Sequence, residues 1–211
     1  MLKQPIEIVG SSRTDAGVHA VLQVAQMDFE LKDSLVQTIF KLNMALPNDI
    51  SILDLYEVKP ETNARFDALS RSYKYAISRK KDPFSMGRSL YYYGNLNLNS
   101  MQKCVDLIKN TTDFQSFSKV KTKVSNFNCN ILEAAWRKVD DFLFFEIKAN
   151  RFLRGMVRGL VGTMLEVGKE KISVADFEQI LEAKDRKKAG ENAPACGLYL
   201  VKVEYSATIR V

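Results

Sequence analysis

The chain is poor in metal-binding and redox-capable side chains. It has one histidine and three cysteines in 211 residues. Cys104, Cys129 and Cys196 lie far apart and lack CxxC spacing, and with His19 as the only imidazole they make no recognisable zinc set. No metal or cofactor is therefore expected, and the thiols should be reduced, as in a reducing compartment. Glycine-rich loops of the kind that cradle phosphates are absent, as are internal repeats and low-complexity linkers. No apolar run reaches the ~18 residues needed to cross a bilayer, and the opening residues do not read as a signal peptide. The expectation is a cytoplasmic protein without a membrane partner.

What is present suits a folded, basic protein. Apolar residues make up 46% of the chain, enough for a core in one large domain or two small ones. Lys and Arg outnumber Asp and Glu by 31 to 25, a net charge of +6 that suits a nucleic-acid partner without establishing one.

Hydrophobic periodicity predicts the elements. Alternation predicts strands over 6–9, 21–29 and 50–58. Between them, Leu35, Ile39, Leu42 and Leu46 mark the buried face of a helix over 34–46, stopped at Pro47. A strand over 69–79 places Leu69, Arg71, Tyr73, Tyr75 and Ile77 on one face. A helix over 99–108 and a hairpin of 131–139 with 142–149 follow. A long helix over 151–167 would bury Leu153, Met156, Val157, Leu160, Met164 and Val167. Its other side would carry Arg151, Arg154 and Arg158 as a stripe, with Gly155, Gly159 and Gly162 beside it for close approach of backbone or ligand. A helix over 173–184 opens on Ser173 with Asp176 three residues on, and a strand over 198–205 closes the set. Lys119, Lys121 and Lys123 alternate along an extended segment, as phosphate contacts or as a solvated loop.

The segment Gly10-Ser11-Ser12-Arg13-Thr14-Asp15-Ala16-Gly17-Val18-His19-Ala20 stands out. It is a loop between two predicted strands and holds one carboxylate, with an arginine two residues before it and the histidine four after. From residue types alone it reads as a solvated turn, with Asp15 bonded to Gly17, or as a reactive site. A hydrolase triad from Ser11 or Ser12, His19 and an aspartate lacks the G-x-S-x-G elbow that exposes a nucleophile.

The eleven-residue loop resembles the active-site signature of the TruA family of tRNA pseudouridine synthases. Three further blocks match in order: Ala64-Arg65-Phe66-Asp67-Ala68 before Arg71-Ser72-Tyr73-Lys74-Tyr75, then Asn150-x-Phe152-Leu153-x-x-Met156-Val157-Arg158, then Pro194-Ala195-x-Gly197-Leu198-Tyr199-Leu200. The resemblance implies an α+β fold of two ferredoxin-like (RRM-like) halves, with largely antiparallel sheets joined into one continuous sheet around a central cleft. Residues 1–68 would form the first half and residues 69–211 the second. The first half then lacks one strand and one helix, which belong before residue 5, with Met1-Leu2-Lys3-Gln4 as the tail of that helix. An N-terminal truncation is therefore expected.

The resemblance also implies the chemistry: cofactor-free isomerisation of uridine to pseudouridine at positions 38–40 in the anticodon stem-loop of tRNA, by a homodimer. Asp15 inherits the catalytic role. Tyr73 would lie against the target base, Arg158 would pair with the aspartate, and Arg13 would fill the gap left by the flipped nucleotide or grip its phosphate. Arg65, Lys74, Arg151 and Arg154 are weaker candidates for contacts to the RNA backbone. The alternative is a non-catalytic, synthase-like RNA-binding protein or an inactive fragment.

Overall fold

The computed structural model describes residues 5–30, 32–119 and 125–211. The expected helix tail at 1–4 and the lysines at 121 and 123 lie outside these. In chain order the elements are β1 (Ile8–Gly10), β2 (His19–Ala20), β3 (Ala25–Met27), α1 (Leu35–Ala45), β4 (Ala68–Ser78), β5 (Leu90–Tyr91), α2 (Leu98–Lys109), β6 (Ile131–Val139), β7 (Phe142–Ala149), α3 (Met156–Gly168), α4 (Val174–Glu182) and β8 (Leu198–Tyr205). Among the described residues, four helices and a mixed sheet make the chain α+β. No helix among the described residues is long and apolar enough to cross a membrane.

The chain divides into two compact units. The first holds Met1–Ser12, Val24–Ala68 and Tyr205–Val211; the second holds Arg13–Gln23 and Leu69–Glu204. The Asp15 loop is thus part of the second unit.

In the first unit β1 and β3 pair antiparallel, with Ile8 across from Met27 and Gly10 across from Ala25. Helix α1 starts where the Ser34 hydroxyl accepts the Gln37 N–H at 3.3 Å. It ends before Pro47, which forces Leu46 into an extended conformation. Its predicted apolar face is only half covered: Ile39, Leu42 and Leu46 are half-buried and Leu35 is exposed, while Thr38 is the helix's one buried residue, and Val36, Phe40 and Met44, outside that face, are exposed. The strand expected over 50–58 does not form. The Asn43 side chain takes both backbone groups of Ile52, accepting its N–H at 2.6 Å and donating to its C=O at 3.0 Å. A side chain thus supplies the bonds a sheet neighbour would have made, and pairing in this stretch is confined to one bridge from Val58 to Arg210.

The second unit is built on a sheet ordered β2-β8-β4-β7-β6, with β5 also on β4. β4 runs antiparallel to β7, and β7 to β6, while the short pairs β2–β8 and β4–β5 are parallel. Tyr73 faces Ile147 across the ladder, Tyr75 faces Phe145 and Ile77 faces Leu143. Period two sends these side chains to one side, where they are buried. From α2 and α3 come Met101, Ile108, Met156, Leu160 and Met164, all fully buried. Each such side chain contributes roughly 1.5–3 kcal/mol by leaving water. The capping box at α4 forms as predicted, with Ser173 and Asp176 bonded reciprocally.

Helix α3 begins five residues later than its periodicity suggests. Asn150 accepts the N–H groups of both Arg151 and Asn130 through Oδ1, each at 2.8 Å, which draws the chain toward β6. Gly155 then adopts φ +75, a left-handed turn that admits the helix only after it. Arg151 and Arg154 therefore precede the helix, and the expected arginine stripe on one helical face does not exist.

Candidate active site

The Asp15 loop is shaped by a backbone turn. The Val18 N–H donates to the Asp15 carbonyl at 3.1 Å, and Gly17 sits at φ +80 in the bend. After the bend, β2 joins the sheet edge, with His19 beside Tyr199 and Ala20 beside Leu200. Because the backbone closes the turn, the carboxylate is left for arginines. Arg158, in the first turn of α3, donates from Nη1 to Asp15 Oδ2 at 2.8 Å. Arg154 approaches Oδ1 from outside, with Nε at 3.8 Å. The closer pair is sheltered, at 18% side-chain exposure for Arg158 and 27% for Asp15, whereas Arg154 is 57% exposed. Solvent screens the outer contact and leaves the inner one as the strong interaction.

The Arg158 guanidinium is fixed by more than the carboxylate. Its Nε donates to the Ala193 carbonyl at 2.7 Å, and the Ala193 N–H returns a bond to the Arg158 carbonyl at 3.0 Å. Residues 186–194 lie along α3 as a strap. The Gly190 N–H donates to Thr163 Oγ1 at 2.9 Å, Arg186 donates to the carbonyls of Ala189 and Gly190, and Tyr75 donates from its hydroxyl to the Pro194 carbonyl at 2.8 Å. Burial pushes the Tyr75 phenol well above its usual range, so it remains a donor. Gly162 explains how the strap comes so close: a Cβ there would stand 1.9 Å from the Glu191 carbonyl oxygen. The predicted use of these glycines for close approach is met at Gly162 by the protein's own backbone.

The remaining predicted residues are distributed unevenly. Tyr73 is buried on β4 and packs edge-to-face with Phe152, ring centroids 5.0 Å apart. Arg13 is exposed in the loop two residues before Asp15. Lys74 alternates to the opposite face of β4 from Tyr73, where it meets Glu146 at 3.3 Å and sits 3.8 Å above the Phe144 ring. Arg151 lies beside Cys129 and opposes the burial that pushes that thiol up to about 11. Arg65 belongs to the first unit and stands over the ring of Phe66. His19 stacks on Tyr199 with centroids 4.8 Å apart and bonds through Nε2 to the Gly87 carbonyl, a structural engagement that gives the triad reading no support. Among the described residues no group of three His, Cys, Asp or Glu side chains is placed to hold a metal ion.

A depression of about 230 Å³ adjoins this site, lined by Phe117, Lys119, Arg154, Gly155, Arg186 and Asn192. Sequence reasoning missed Asn192 and the Ala193 carbonyl. The Pro194-Ala195-x-Gly197 block pointed to the neighbourhood, but a backbone carbonyl has no side-chain signature.

The chain is 45% identical over 206 residues to tRNA pseudouridine synthase A of Parabacteroides distasonis, an alignment spanning 97% of this chain and 82% of the relative. It belongs to the TruA family of tRNA pseudouridine synthases. The relative from Bacteroides thetaiotaomicron, also named tRNA pseudouridine synthase A, is 44% identical over 211 residues, covering 99% of this chain and 78% of its own. That from a Geobacillus species is 42% identical over 202 residues, 95% and 82% of the two chains. Residues 111–206 match a family model described as tRNA pseudouridine synthase. In this TruA-family chain the matched region holds Arg154, Arg158 and the strap, while Asp15 and Tyr73 lie outside it.

Proposed function

We propose that the chain isomerises uridine to pseudouridine in tRNA, with Asp15 as its catalytic carboxylate. The observation that carries this reading is the Asp15–Arg158 pair at 2.8 Å, which joins the loop that resembles the family signature to the block that ends at Arg158. In the reaction the C1′–N1 bond of uridine breaks and a C1′–C5 bond forms. The hydrogen on C5 leaves as a proton and N1 gains one, so the nucleotide is rearranged without loss of atoms. Oδ2 of Asp15 is held by Arg158, and Oδ1, which the more distant Arg154 approaches from outside, is the oxygen that acts on the substrate. A carboxylate held in place at a partly desolvated site needs little reorganisation when charge develops nearby.

The other assignments follow the same reading. Tyr73 lies against the uracil, with Phe152 fixing its ring. Arg13 grips the backbone or fills the space left by the flipped nucleotide; flipping is required because C1′ and C5 are inaccessible in a stacked stem. Arg65, Lys74, Arg151 and Arg154 contribute to backbone contacts. The target uridines are those of the anticodon stem-loop, and the enzyme works in the cytoplasm as a homodimer. The second unit follows a ferredoxin-like plan. This is supported by the succession β4-α2-β6-β7-α3-β8, into which β5 and α4 are inserted, and by the sheet order β8-β4-β7-β6.

The test is to incubate unmodified tRNA transcripts with the chain and map pseudouridine by carbodiimide labelling and primer extension. Pseudouridine confined to the anticodon stem-loop supports the assignment. Pseudouridine elsewhere overturns the choice of substrate site, and its absence from a chain that binds tRNA favours the non-catalytic alternative.

A further inference from the structure

We propose that the depression beside Asp15 is a phosphodiester site, in which Lys119, Arg154, Arg186 and Asn192 hold one backbone phosphate next to the reacting nucleotide. The inference rests on the reading of the chain as a tRNA-modifying enzyme.

The lining decides the chemistry. Three of the six lining residues are cations, and none is a carboxylate. The fourth polar residue, Asn192, uses its Oδ1 to accept from Arg186 Nη2 at 3.0 Å, which leaves its amide N–H groups as donors. The polar side chains of the wall thus offer hydrogen-bond donors, an arrangement that suits an anion and disfavours a base edge, which needs acceptors as well. A volume of about 230 Å³ accommodates a phosphodiester group. Phe117 and Gly155 form the rest of the wall and add no negative charge.

The position of Arg154 ties the depression to the chemistry. Its side chain lines the wall and also reaches to 3.8 Å from Asp15 Oδ1. A phosphate held there would belong to the nucleotide whose ribose meets Asp15 or to its immediate neighbour. The depression is also anchored. The Lys119 N–H donates to the Arg154 carbonyl at 2.9 Å, and Arg186 is tied to the Ala189 and Gly190 carbonyls of the strap. These bonds preserve the spacing of the cations before RNA arrives, which lowers the cost of ordering them on binding.

Lys119→Gln tests the site most cleanly, because the side chain is exposed and its backbone bond to Arg154 survives. The dissociation constant for tRNA is measured across a salt series for wild type, Lys119→Gln and Lys109→Gln, the last an exposed lysine at the end of α2. One phosphate contact contributes about 0.7–0.9 to the slope of log affinity against log salt. The expected result is a slope shallower by about that amount in Lys119→Gln and unchanged in Lys109→Gln, with the single-turnover rate at saturating tRNA preserved in Lys109→Gln. Equal slopes in wild type and Lys119→Gln overturn the proposal, as does an equal loss in the two variants, which would report net charge alone.

Inorganic phosphate distinguishes the source of the anion. If millimolar phosphate raises the melting temperature of wild type but not of Lys119→Gln, while both bind tRNA with the same slope, the site serves free phosphate and the RNA assignment falls. Pseudouridine formation by wild type is scored in parallel. A shallower slope without pseudouridine leaves the phosphate site standing and removes the functional reading; pseudouridine with unchanged slopes does the reverse.

Discussion

Arg158 joins Asp15 across 143 positions of sequence, and the same guanidinium is fixed to the Ala193 carbonyl through its other edge. One planar, permanently charged group thus meets an acceptor from the Asp15 loop and an acceptor from the strap. Lysine cannot reproduce this, because its ammonium is a point charge without a fork. Arg158→Lys and Arg158→Ala should both lower the rate of pseudouridine formation by roughly a hundredfold or more, the scale seen when a fixed donor is removed from an active site. Single-turnover rates at saturating tRNA check this. A lysine variant within a few fold of wild type would show that charge alone suffices.

The strap should be as sensitive as the residues it holds. Gly162→Ala places a methyl group against the backbone carbonyl of Glu191, so the strap must move. The expected cost is about 1–3 kcal/mol of stability, together with a loss of activity through displaced Arg158. Thr163→Val keeps the shape of a fully buried residue but removes the acceptor for the Gly190 N–H, at a cost of about 1–3 kcal/mol, while Thr163→Ser should restore most of it. Melting temperatures and single-turnover rates together test both substitutions. Activity that survives an appreciable loss of stability would separate the strap from catalysis.

These two residues also show what sequence reading reached and where it stopped. The pairing of Arg158 with Asp15 was legible because motif blocks carry side-chain identity. β4, the β6–β7 hairpin, α2 and α4 were legible because burial on one face imposes a period. The start of α3 was not, because the period of Leu153 and Met156 continues across a left-handed Gly155 and an Asn150 side chain that competes for the backbone. The missing strand over 50–58 has a similar origin in Asn43, whose bonds to Ile52 no alternation rule registers. The roles of Gly162 and Ala193 depend on a distant segment crossing the helix, which only the tertiary structure displays.

Acid stability should depend on Glu204. Lys148, Lys202 and Ser70 all bond to its carboxylate and hold it down at about 2, against 4.5 for an ordinary glutamate. A carboxyl lowered in the folded state contributes stability that is present above pH 4.5 and is lost as pH falls toward 2. Glu204→Gln should therefore lower the melting temperature at neutral pH and flatten its decline between pH 4.5 and 2. Scans across that range check both signs; parallel curves for the two proteins would contradict the assignment.

The thiols give the opposite sign at the alkaline end. Burial pushes Cys104 up to about 12 and Cys129 up to about 11, from 9.0. The neutral thiol is favoured in the folded chain, so the stability these groups contribute is complete below pH 9 and is lost as pH rises through 11 to 12. Near pH 8 both should react slowly with iodoacetamide in the native protein, with Cys196, which is only half-buried, labelled first. Mass spectrometry of the alkylated peptides checks the order. Rapid labelling of Cys104 would contradict its burial.

The assignment of the isomerisation to Asp15 is open to a direct test. The most direct measurement is tritium release from tRNA labelled at C5 of uridine, compared between wild type and Asp15→Asn. Asparagine keeps the size of the side chain and removes its charge, and tRNA binding measured on the same samples reports whether the site is otherwise intact. Release by wild type is expected, with none above background from Asp15→Asn while tRNA is still bound. Release by both proteins at comparable rates would contradict the assignment.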